Sequence, residues 1–361
     1  MKICFVAPAN NYHTKKWATW FSKRGHEVHV VSFIRDDIPG TKVHFIDTGV
    51  NAEDSDSSKI KYLLHARELK KTVDRINPDI VNVHYATSYG TVAALSGIKK
   101  YILSVWGSDI YDFPKRSVLH KIMLEFSLYR ATWLFSTSKA MAEEARKYTR
   151  KIFKITPFGV DMNLFNPDKR TRSNDDNLFV IGTVKSLSKV YGIEFILKAA
   201  ALIKKRNPEI PLRVRIAGKG DEEQYYKDLA KKLGINDIVD WLGFISQEQA
   251  AVEWANMDVA VIPSLSESFG VSAVEAQACG TTVVISDIPG LMETTKPKET
   301  SVVVKRESVI ALSNGIITLY NDSTKRNQMA LRGRTFVEEK YPLDKCFIMI
   351  ENVFKKLVGN K

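Results

Sequence analysis

Cysteine and long apolar runs are scarce in this sequence. Its three cysteines, Cys4, Cys279 and Cys346, are spread over 361 residues, so their spacing fits neither a zinc site nor a redox motif. Scattered thiols of this kind are typical of a reducing compartment. No apolar run approaches the roughly 18–20 residues of a membrane span, and the stretch 3–7 is typical of a first strand rather than of a signal peptide. We therefore expect a cytoplasmic protein with no metal site.

Signatures of dinucleotide binding and of repeat architectures are also missing. Neither half of the chain has a Gly-x-Gly-x-x-Gly loop after its first predicted strand, which removes the strongest sequence evidence for a pyridine-nucleotide cofactor. No low-complexity tract or short-period repeat interrupts an ordinary globular composition. A chain of 361 residues suggests about two globular domains.

Positive charge is in excess and unevenly distributed. The chain carries a net charge of +12, and residues 99–154 hold twelve lysine and arginine residues against five acidic ones, a net +7. A solvated basic face explains such a run, and so does attraction to an anionic surface. We favour a membrane over a nucleic acid as that surface, because residues 115–130 interleave basic and large apolar side chains, as interfacial helices do. A core helix with a basic rim fits the same segment.

Short apolar runs alternate with helical patterns in both halves of the chain. Strands are predicted at 3–7, 28–33, 43–46, 80–83, 101–105 and 133–136, and then at 178–184, 212–217, 239–242, 259–262, 282–286 and 302–304. Helices are predicted at 14–24, 59–76, 138–148, 192–206, 221–233, 246–255, 270–279 and 307–320, with an amphipathic helix at 343–357. This alternation is typical of parallel sheets with helices on both faces. The pattern is interrupted near 160–177, where we expect a domain boundary.

The most informative stretch is 258–280. The apolar run 259–262 is typical of a buried parallel strand, Pro263 ends it, and a polar loop with Glu267 follows. A helix is predicted from Gly270 onward, with Ser268 as its N-cap and a glycine after its end. The N-terminus of a helix at the end of a parallel strand offers free N–H groups to an anion.

Two glutamates of this stretch suggest what that anion is. Glu267 precedes the predicted helix and Glu275 lies inside it, which puts them roughly 8–12 Å apart. This separation is too large for a pair of carboxylates that share one reacting atom. It suits the two ends of a long ligand with an anionic middle, such as a sugar nucleotide. The competing interpretation is that both are ordinary solvent-exposed residues.

Glu267 and Glu275 also reproduce the Glu-x7-Glu motif of the donor site in retaining glycosyltransferase family 4. Matching stretches are Ile-Ala-Gly-Lys-Gly at 216–220, Trp-Leu-Gly-Phe at 241–244, Thr-Pro-Phe-Gly-Val-Asp at 156–161 and Phe-Asn-Pro at 165–167. The chain resembles this family over most of its length. The resemblance implies an α/β GT-B fold, in which two doubly wound Rossmann-like domains face each other across a cleft. Domain 1–165 would bind the acceptor, domain 166–342 the donor, and the helix 343–361 would pack back on the first domain.

The resemblance also implies roles for individual residues. Glu275 would accept hydrogen bonds from the ribose and Glu267 from the donor sugar. The family's arginine and lysine for the diphosphate fall on Ser186 and Tyr191, so we expect Lys185 and Lys189 to replace them, together with the helix N-terminus at Gly270. Further donor-binding candidates are Ser268, Phe269, Val271, Gly218, Gly243 and Phe244.

The first domain contains further candidate site residues. Asp109, in a segment that resembles the family's Gly-x-Asp, would either orient sugar hydroxyls or cap the next helix. Trp106 stands where a histidine often precedes that glycine. The first loop lacks the family's glycine pair, so we expect Asn11 and His13 to be exposed there and to carry acceptor specificity, with His84 as a further acceptor-side group.

We therefore predict a glycosyltransferase that moves a sugar from a nucleotide-diphosphate sugar, a UDP- or GDP-sugar, to a hydroxyl. The transfer would retain the configuration at the anomeric carbon and would need no metal ion. The basic region 99–154 favours a lipid-linked or surface-polysaccharide acceptor and a location at the inner face of the cell membrane. The resemblance implies no cofactor and no nucleic-acid partner. A sugar-nucleotide epimerase or a phosphorylase on the same fold, and a non-catalytic basic protein that binds membranes or nucleic acid, are the alternatives.

Overall fold

The computed structural model describes residues 1–51, 58–173 and 177–359. The chain divides into two compact units, of which the first holds Met1–Phe158 with Cys346–Lys361 and the second holds Gly159–Lys345. Each unit contains a parallel sheet with helices around it, which confirms the prediction of two parallel-sheet α/β domains. The polar interruption predicted at 160–177 lies partly outside the described residues.

In the described part of the first unit, seven parallel strands have the order β3-β2-β1-β4-β5-β6-β7. The strands are β1 Lys2–Val6, β2 Glu27–Ser32, β3 Lys42–Phe45, β4 Ile80–His84, β5 Ile102–Val105, β6 Trp133–Ser136 and β7 Phe153–Ile155. The helices are α1 Tyr12–Lys23, α2 Ala66–Ile76, α3 Ser88–Ser96, α4 Ser108–Tyr111, α5 Val118–Arg130 and α6 Lys139–Ala145, with 3-10 turns at Ser58–His65 and Phe113–Lys115.

The second unit has the same construction, with six parallel strands among its described residues in the order β10-β9-β8-β11-β12-β13. The strands are β8 Phe179–Val184, β9 Leu212–Ala217, β10 Val239–Gly243, β11 Val259–Ile262, β12 Thr282–Ser286 and β13 Ser301–Val304. The helices are α7 Ile193–Arg206, α8 Glu223–Lys232, α9 Gln247–Asn256, α10 Val271–Ala278, α11 Pro289–Glu293, α12 Val309–Asn321 and α13 Ser323–Lys340. Short 3-10 turns lie at Pro167–Lys169, Lys189–Tyr191 and Asn236–Ile238.

The strand order reverses once in each sheet. In the first unit β1 lies between β2 and β4, and in the second β8 lies between β9 and β11. The loops that leave the two strands at such a reversal diverge and open a crevice at the carboxyl ends of the strands. The loops after β1, β4, β8 and β11 are therefore where each unit offers room for a ligand.

The last helix, α14 Leu343–Gly359, completes the core of the first unit from Cys346 onward. Phe347 and Phe354 are completely buried, and the Phe354 ring stacks on Phe21 with 5.3 Å between ring centroids. The buried Glu351 carboxylate accepts from His26 at 2.8 Å and from Arg24 at 3.3 Å. Because both the apolar face and the buried charge of α14 have partners in this unit, the helix is an integral part of it.

Helix α5 covers most of residues 115–130, for which a core helix and an interfacial helix were the two interpretations. Leu124 and Leu128 are completely buried, whereas Val118, Ile122 and Tyr129 are exposed. One face therefore belongs to the core, and the other carries large apolar side chains in solvent. None of the described helices is both long and apolar enough to cross a bilayer.

Sequence reasoning missed some elements and misjudged others. Helix α3, Ser88–Ser96, was not predicted, because six consecutive residues of it are buried and small residues on all sides leave no amphipathic period. The polar helix α13, Ser323–Lys340, was also missed. The helix predicted at 59–76 is a 3-10 turn followed by α2.

Candidate active site

The stretch 258–280 folds as a buried strand, a loop and a helix. All residues of β11 are completely buried. Helix α10 begins at Val271, and its N-cap is Gly270 with φ of 79°. Gly270, and not the predicted Ser268, is therefore the N-cap residue of this helix. A Cβ atom at Gly270 would lie 2.9 Å from Leu291 and Thr294, so the left-handed backbone and the crowding both require glycine.

Glu267 and Lys185 form a buried ion pair. The Lys185 Nζ lies 2.6 Å from Glu267 Oε2, and each side chain is only 10% exposed. The same ammonium lies 4.3 Å from the centroid of the Tyr191 ring, within the range of a cation–π contact. Burial alone would lower the pKa of Lys185, but the charges of Glu267, Tyr191 and Glu275 and the hydrogen bond that Lys185 donates to Glu267 raise it instead. Lys185 is therefore a fixed positive charge.

Glu275 lies inside α10 and is buried. Its Oε2 accepts from the indole Nε1 of Trp254 at 3.4 Å. The charge of Glu275 contributes to the raised pKa of Lys185, so both glutamates of the motif act on the same ammonium. The structure thus brings three of the predicted site residues together: Lys185, Glu267 and Glu275.

Lys189 is in a different position from Lys185. It begins the 3-10 turn Lys189–Tyr191, its side chain is 81% exposed, and its Nζ lies 3.9 Å from Glu222 Oε1. An exposed pair at this distance is screened by solvent and holds the side chain weakly. Of the two lysines that were predicted to replace the family's cations, Lys185 is held in place and Lys189 is not.

Glycines allow close backbone packing at this site. Gly218 has φ of 140°, and a Cβ atom there would lie 1.8 Å from the carbonyl oxygen of Lys185. A Cβ atom at Gly290 would lie 2.1 Å from the carbonyl oxygen of Glu267. The backbone of both members of the ion pair is therefore packed against a glycine. Sequence reasoning singled out Gly218 but missed Gly290, because a contact between different loops leaves no local signal.

Two other donor-binding candidates differ sharply in exposure. Phe244, after Gly243, is 78% exposed. Phe269 is buried and packs edge-on against Tyr341, with ring centroids 5.4 Å apart. The Phe269 ring therefore belongs to the core, and a donor contact by this residue stays a prediction that would involve its backbone.

In the first unit, Asp109 organises the loops after β4 and β5. Its carboxylate accepts from the backbone N–H groups of Ala86 at 2.9 Å, Gly107 at 2.8 Å and Trp106 at 3.2 Å. Burial raises the pKa of Asp109, and these backbone hydrogen bonds oppose the shift. Asp109 is 1% exposed, so these hydrogen bonds make it a positioning residue for the two loops. It also lines the cavity described below, and its role toward sugar hydroxyls stays a prediction.

Of the three acceptor-side candidates, His84 is completely buried, whereas Asn11 and His13 are half-buried and less exposed than expected. The Asn11 side chain caps α1 by accepting from the N–H groups of His13 and Thr14, and its amide donates to the Tyr85 hydroxyl at 3.2 Å. The His13 ring stacks on Phe158 with 4.0 Å between centroids.

His84 lies deeper still. It is completely buried against Trp106, Trp17 and Phe5, with ring centroids 4.3, 5.2 and 5.4 Å away. Among the described residues neither ring nitrogen has a hydrogen-bond partner. Burial lowers the pKa of His84 to about 3. His84 is therefore a neutral core residue, which corrects its assignment to the acceptor side.

This buried histidine predicts a specific pH dependence of stability. Because the pKa of His84 falls from 6.5 to about 3 on folding, only the unfolded chain binds the proton between these values. Stability is complete above pH 6.5 and is lost as the pH falls, by about 2 kcal/mol at pH 5. Burial also lowers the pKa of His13 to about 3, so that residue keeps its own contribution. We therefore expect His84→Met to reduce the loss of unfolding free energy between pH 7 and pH 5 by about 2 kcal/mol, measured by urea titration.

The difference between the two pH values removes any constant cost of the substitution. His65→Gln, at a partly exposed histidine paired with Glu68, is the control and should retain the wild-type dependence. Equal pH dependence of wild type and His84→Met would contradict the burial argument.

The first unit also contains a cavity of about 640 Å³ at the carboxyl ends of its strands. Segments from the loops after β1, β4 and β5, from the turn Ser58–His65 and from α5 enclose it. The lining includes the apolar side chains of Ile34, Ile60, Leu63, Phe113, Leu119 and Met123. It also includes polar residues, among them Asn10, Ser88, Ser108, Asp109, Arg116 and His120. Sequence reasoning missed this cavity, because its wall comes from segments far apart in the chain.

Two parallel-sheet units, with a buried lysine–glutamate pair at the carboxyl ends of β8 and β11, define a glycosyltransferase of the GT-B class. Residues 165–336 match the family model of glycosyl transferases group 1, and residues 2–138 match that of glycosyl transferase 4-like domains. Together these two glycosyltransferase models match most of the chain, so the chain is a glycosyltransferase, which confirms the family resemblance and the prediction of an enzyme.

Relatives cover either the whole chain or half of it. An uncharacterised glycosyltransferase of Methanocaldococcus jannaschii is 27% identical over 95% of this chain and 93% of its own length. A D-inositol 3-phosphate glycosyltransferase of Pseudarthrobacter chlorophenolicus is 33% identical over 55% of this chain, and the match spans only 50% of that protein.

Solved structures share the fold over the full chain. Sucrose-phosphate synthase from Thermosynechococcus elongatus has a TM-score of 0.86 at 18% identity, and each chain is covered completely. Anabaena HepE, solved in complex with UDP and glucose, has a TM-score of 0.79 at 19% identity and covers 99% of this chain with all of its own. At these sequence identities the structural similarity establishes the fold alone.

Proposed function

We propose that this glycosyltransferase moves a sugar from a nucleotide-diphosphate sugar to a hydroxyl acceptor, with retention at the anomeric carbon and without a metal ion. The observation that carries the proposal is the buried Lys185–Glu267 pair beside α10, with Glu275 on that helix acting on the same ammonium. A fixed cation near two carboxylates suits a ligand whose anionic middle is flanked by two sets of hydroxyls.

The donor would lie along the loops after β8 and β11 of the second unit. The N–H groups of the first turn of α10 and the Lys185 ammonium would bind the diphosphate. Glu275 would accept hydrogen bonds from the ribose and Glu267 from the donor sugar, and carboxylates are strong acceptors for such hydroxyls. The family structure of HepE with UDP and glucose supports a donor of this kind.

In the transfer step, the acceptor hydroxyl attacks the anomeric carbon on the face of the leaving group. The bond from that carbon to the diphosphate oxygen breaks, and a phosphate oxygen of the departing diphosphate takes the hydroxyl proton. Negative charge grows on the diphosphate as this bond breaks, so a pre-positioned cation and helix N–H groups lower the barrier. Lys185 supplies such a charge from the protein, which supports a metal-independent step.

The acceptor would bind in the first unit, and we propose that it is a lipid-linked or surface-polysaccharide intermediate. The partly apolar wall of the 640 Å³ cavity supports an acceptor with an apolar portion. The net +7 of residues 99–154 supports contact with the inner face of the membrane.

A thermal-shift series with UDP-, GDP- and ADP-sugars, each with and without EDTA, tests the donor proposal. A bound donor at about 100 times its Kd should stabilise the folded protein by about 2.7 kcal/mol, and EDTA should not remove the effect. Incubation with the stabilising donor alone should yield no epimer, which separates a transferase from an epimerase. The absence of any shift from all three classes would overturn the proposal.

A further inference from the structure

The exposed face of α5 carries a continuous apolar stripe. Val118, Leu119, Ile122, Phe126 and Tyr129 are all exposed, three of them by more than 60%. At about 100° per residue these positions fall within one arc of about 100°, and they extend for about 16 Å along the helix. Scattered exposed apolar residues are ordinary, but a contiguous stripe on one helix marks an interaction surface.

Basic residues border this stripe. Lys121 lies on one side of it and Arg130 on the other by the same helical angles, and Lys115 and Arg116 precede the helix. All four residues are exposed. Glu125, the acidic residue of the helix, lies 3.8 Å from Lys121, so these two charges offset each other and Lys115, Arg116 and Arg130 supply the net positive charge. An apolar stripe with cations along its edges is the pattern of a helix that lies in the interface of an anionic bilayer.

The stripe adjoins the cavity of the first unit. Leu119 is 64% exposed and also lines the cavity, together with His120 and Met123 from the same helix. The cavity therefore has part of its wall in the helix that carries the stripe. An apolar chain that leaves a bilayer beneath α5 would pass Leu119 to reach the apolar part of the cavity.

We propose that the stripe of α5 binds an anionic lipid bilayer and that the apolar part of the acceptor enters the cavity past Leu119. This deepens the membrane contact of the proposed function and rests on that function for the identity of the acceptor. A second copy of the chain is a poorer partner, because a two-fold contact through this face would bring the four cations near their own counterparts. A nucleic acid would leave the apolar stripe uncovered.

Co-sedimentation with vesicles tests the proposal without donor or acceptor. Vesicles of phosphatidylcholine with 30% phosphatidylglycerol should bind the protein, and phosphatidylcholine alone should bind it at least tenfold less. Ile122→Glu should weaken binding at least tenfold, because it places a charge in the apolar stripe. Lys115→Glu should weaken it at least fivefold, since each basic residue near the surface adds attraction to anionic lipid.

The matched controls lie in the second unit. Leu331→Glu, at a leucine that is 70% exposed on α13, and Lys231→Glu, at a lysine that is 64% exposed, should bind vesicles as the wild type does. Wild-type melting temperatures would show that the variants are folded. Equal binding by Ile122→Glu and wild type would overturn the proposal, as would a loss of self-association in Ile122→Glu, seen by light scattering, without loss of vesicle binding.

The donor thermal shift separates this proposal from the proposed function. A wild-type protein that responds to a sugar nucleotide but does not bind anionic vesicles would overturn the docking surface alone. A protein that binds vesicles through α5 but responds to no sugar nucleotide would overturn the transferase donor site alone.

Discussion

Lys185→Met is expected to lower kcat/KM for transfer by at least about a hundredfold and to destabilise the second unit. The substitution removes the cation next to the proposed diphosphate site, and loss of one such stabilising group typically costs about 10²–10³ in rate. It also leaves the Glu267 carboxylate, 10% exposed, buried without its ion partner, which costs about 3–5 kcal/mol. Steady-state kinetics and urea unfolding measure the two effects.

A double substitution separates the two effects. Lys185→Met with Glu267→Gln removes both charges of the ion pair and leaves only the more distant Glu275 charged, so most of the lost stability should return while activity should not. Lys189→Met removes the exposed lysine of the same loop and should change stability by less than about 0.5 kcal/mol. A larger loss of activity in Lys189→Met than in Lys185→Met would contradict the assignment of Lys185 as the principal cation.

Glu275→Gln is expected to lower kcat/KM by about 10–100-fold through weaker donor binding. The change keeps the size of the side chain and an oxygen that can accept from Trp254, but it removes the charge that strengthens hydrogen bonds from ribose hydroxyls. Hydrogen bonds to a charged group contribute about 1.5–3 kcal/mol, which is the size of this loss. The thermal shift caused by the donor should shrink accordingly.

The choice of ligand tests the role of Glu275 directly. Because the ribose is common to both, the shifts caused by the nucleoside diphosphate and by the complete sugar nucleotide should both decrease in Glu275→Gln. Glu267→Gln should decrease the shift caused by the sugar nucleotide more than the shift caused by the nucleoside diphosphate, since Glu267 is assigned to the sugar. Glu299→Gln, at an exposed glutamate, is the control. Unchanged shifts in Glu275→Gln would remove this residue from the donor site.

Much of the fold could be predicted from the sequence, because most strands are recognisable from a short apolar run. The run that became β11, Val259–Ile262, is completely buried and apolar throughout, as a central parallel strand must be. Helix α3 could not be predicted in the same way, since burial on all sides removes the periodicity on which helix prediction depends. The start of α10 was predicted to within one residue, but its N-cap was misjudged, because Gly270 and not Ser268 immediately precedes the helix.

In the candidate site, too, local features could be predicted from the sequence, and contacts between distant residues could not. The spacing of Glu267 and Glu275 is local and visible in the sequence. The bond between Lys185 and Glu267 joins residues 82 positions apart, and only the folded sheet brings them together. His84 was misassigned for the converse reason: a histidine at the end of a strand suggests a site, but the surrounding Trp17 and Trp106 rings make it part of the core.

The chain path through α14 has a consequence for biosynthesis. Strands β1 to β7 leave the ribosome first, but their core stays open until Phe347, Ile350 and Phe354 have been translated, because these side chains are completely buried in that unit. The intervening unit, Gly159–Lys345, has all of its own strands well before then. We therefore expect the first unit to complete its folding after the second unit. This is the reverse of the order in which the domains of a nascent chain usually fold, since the N-terminal domain usually folds first.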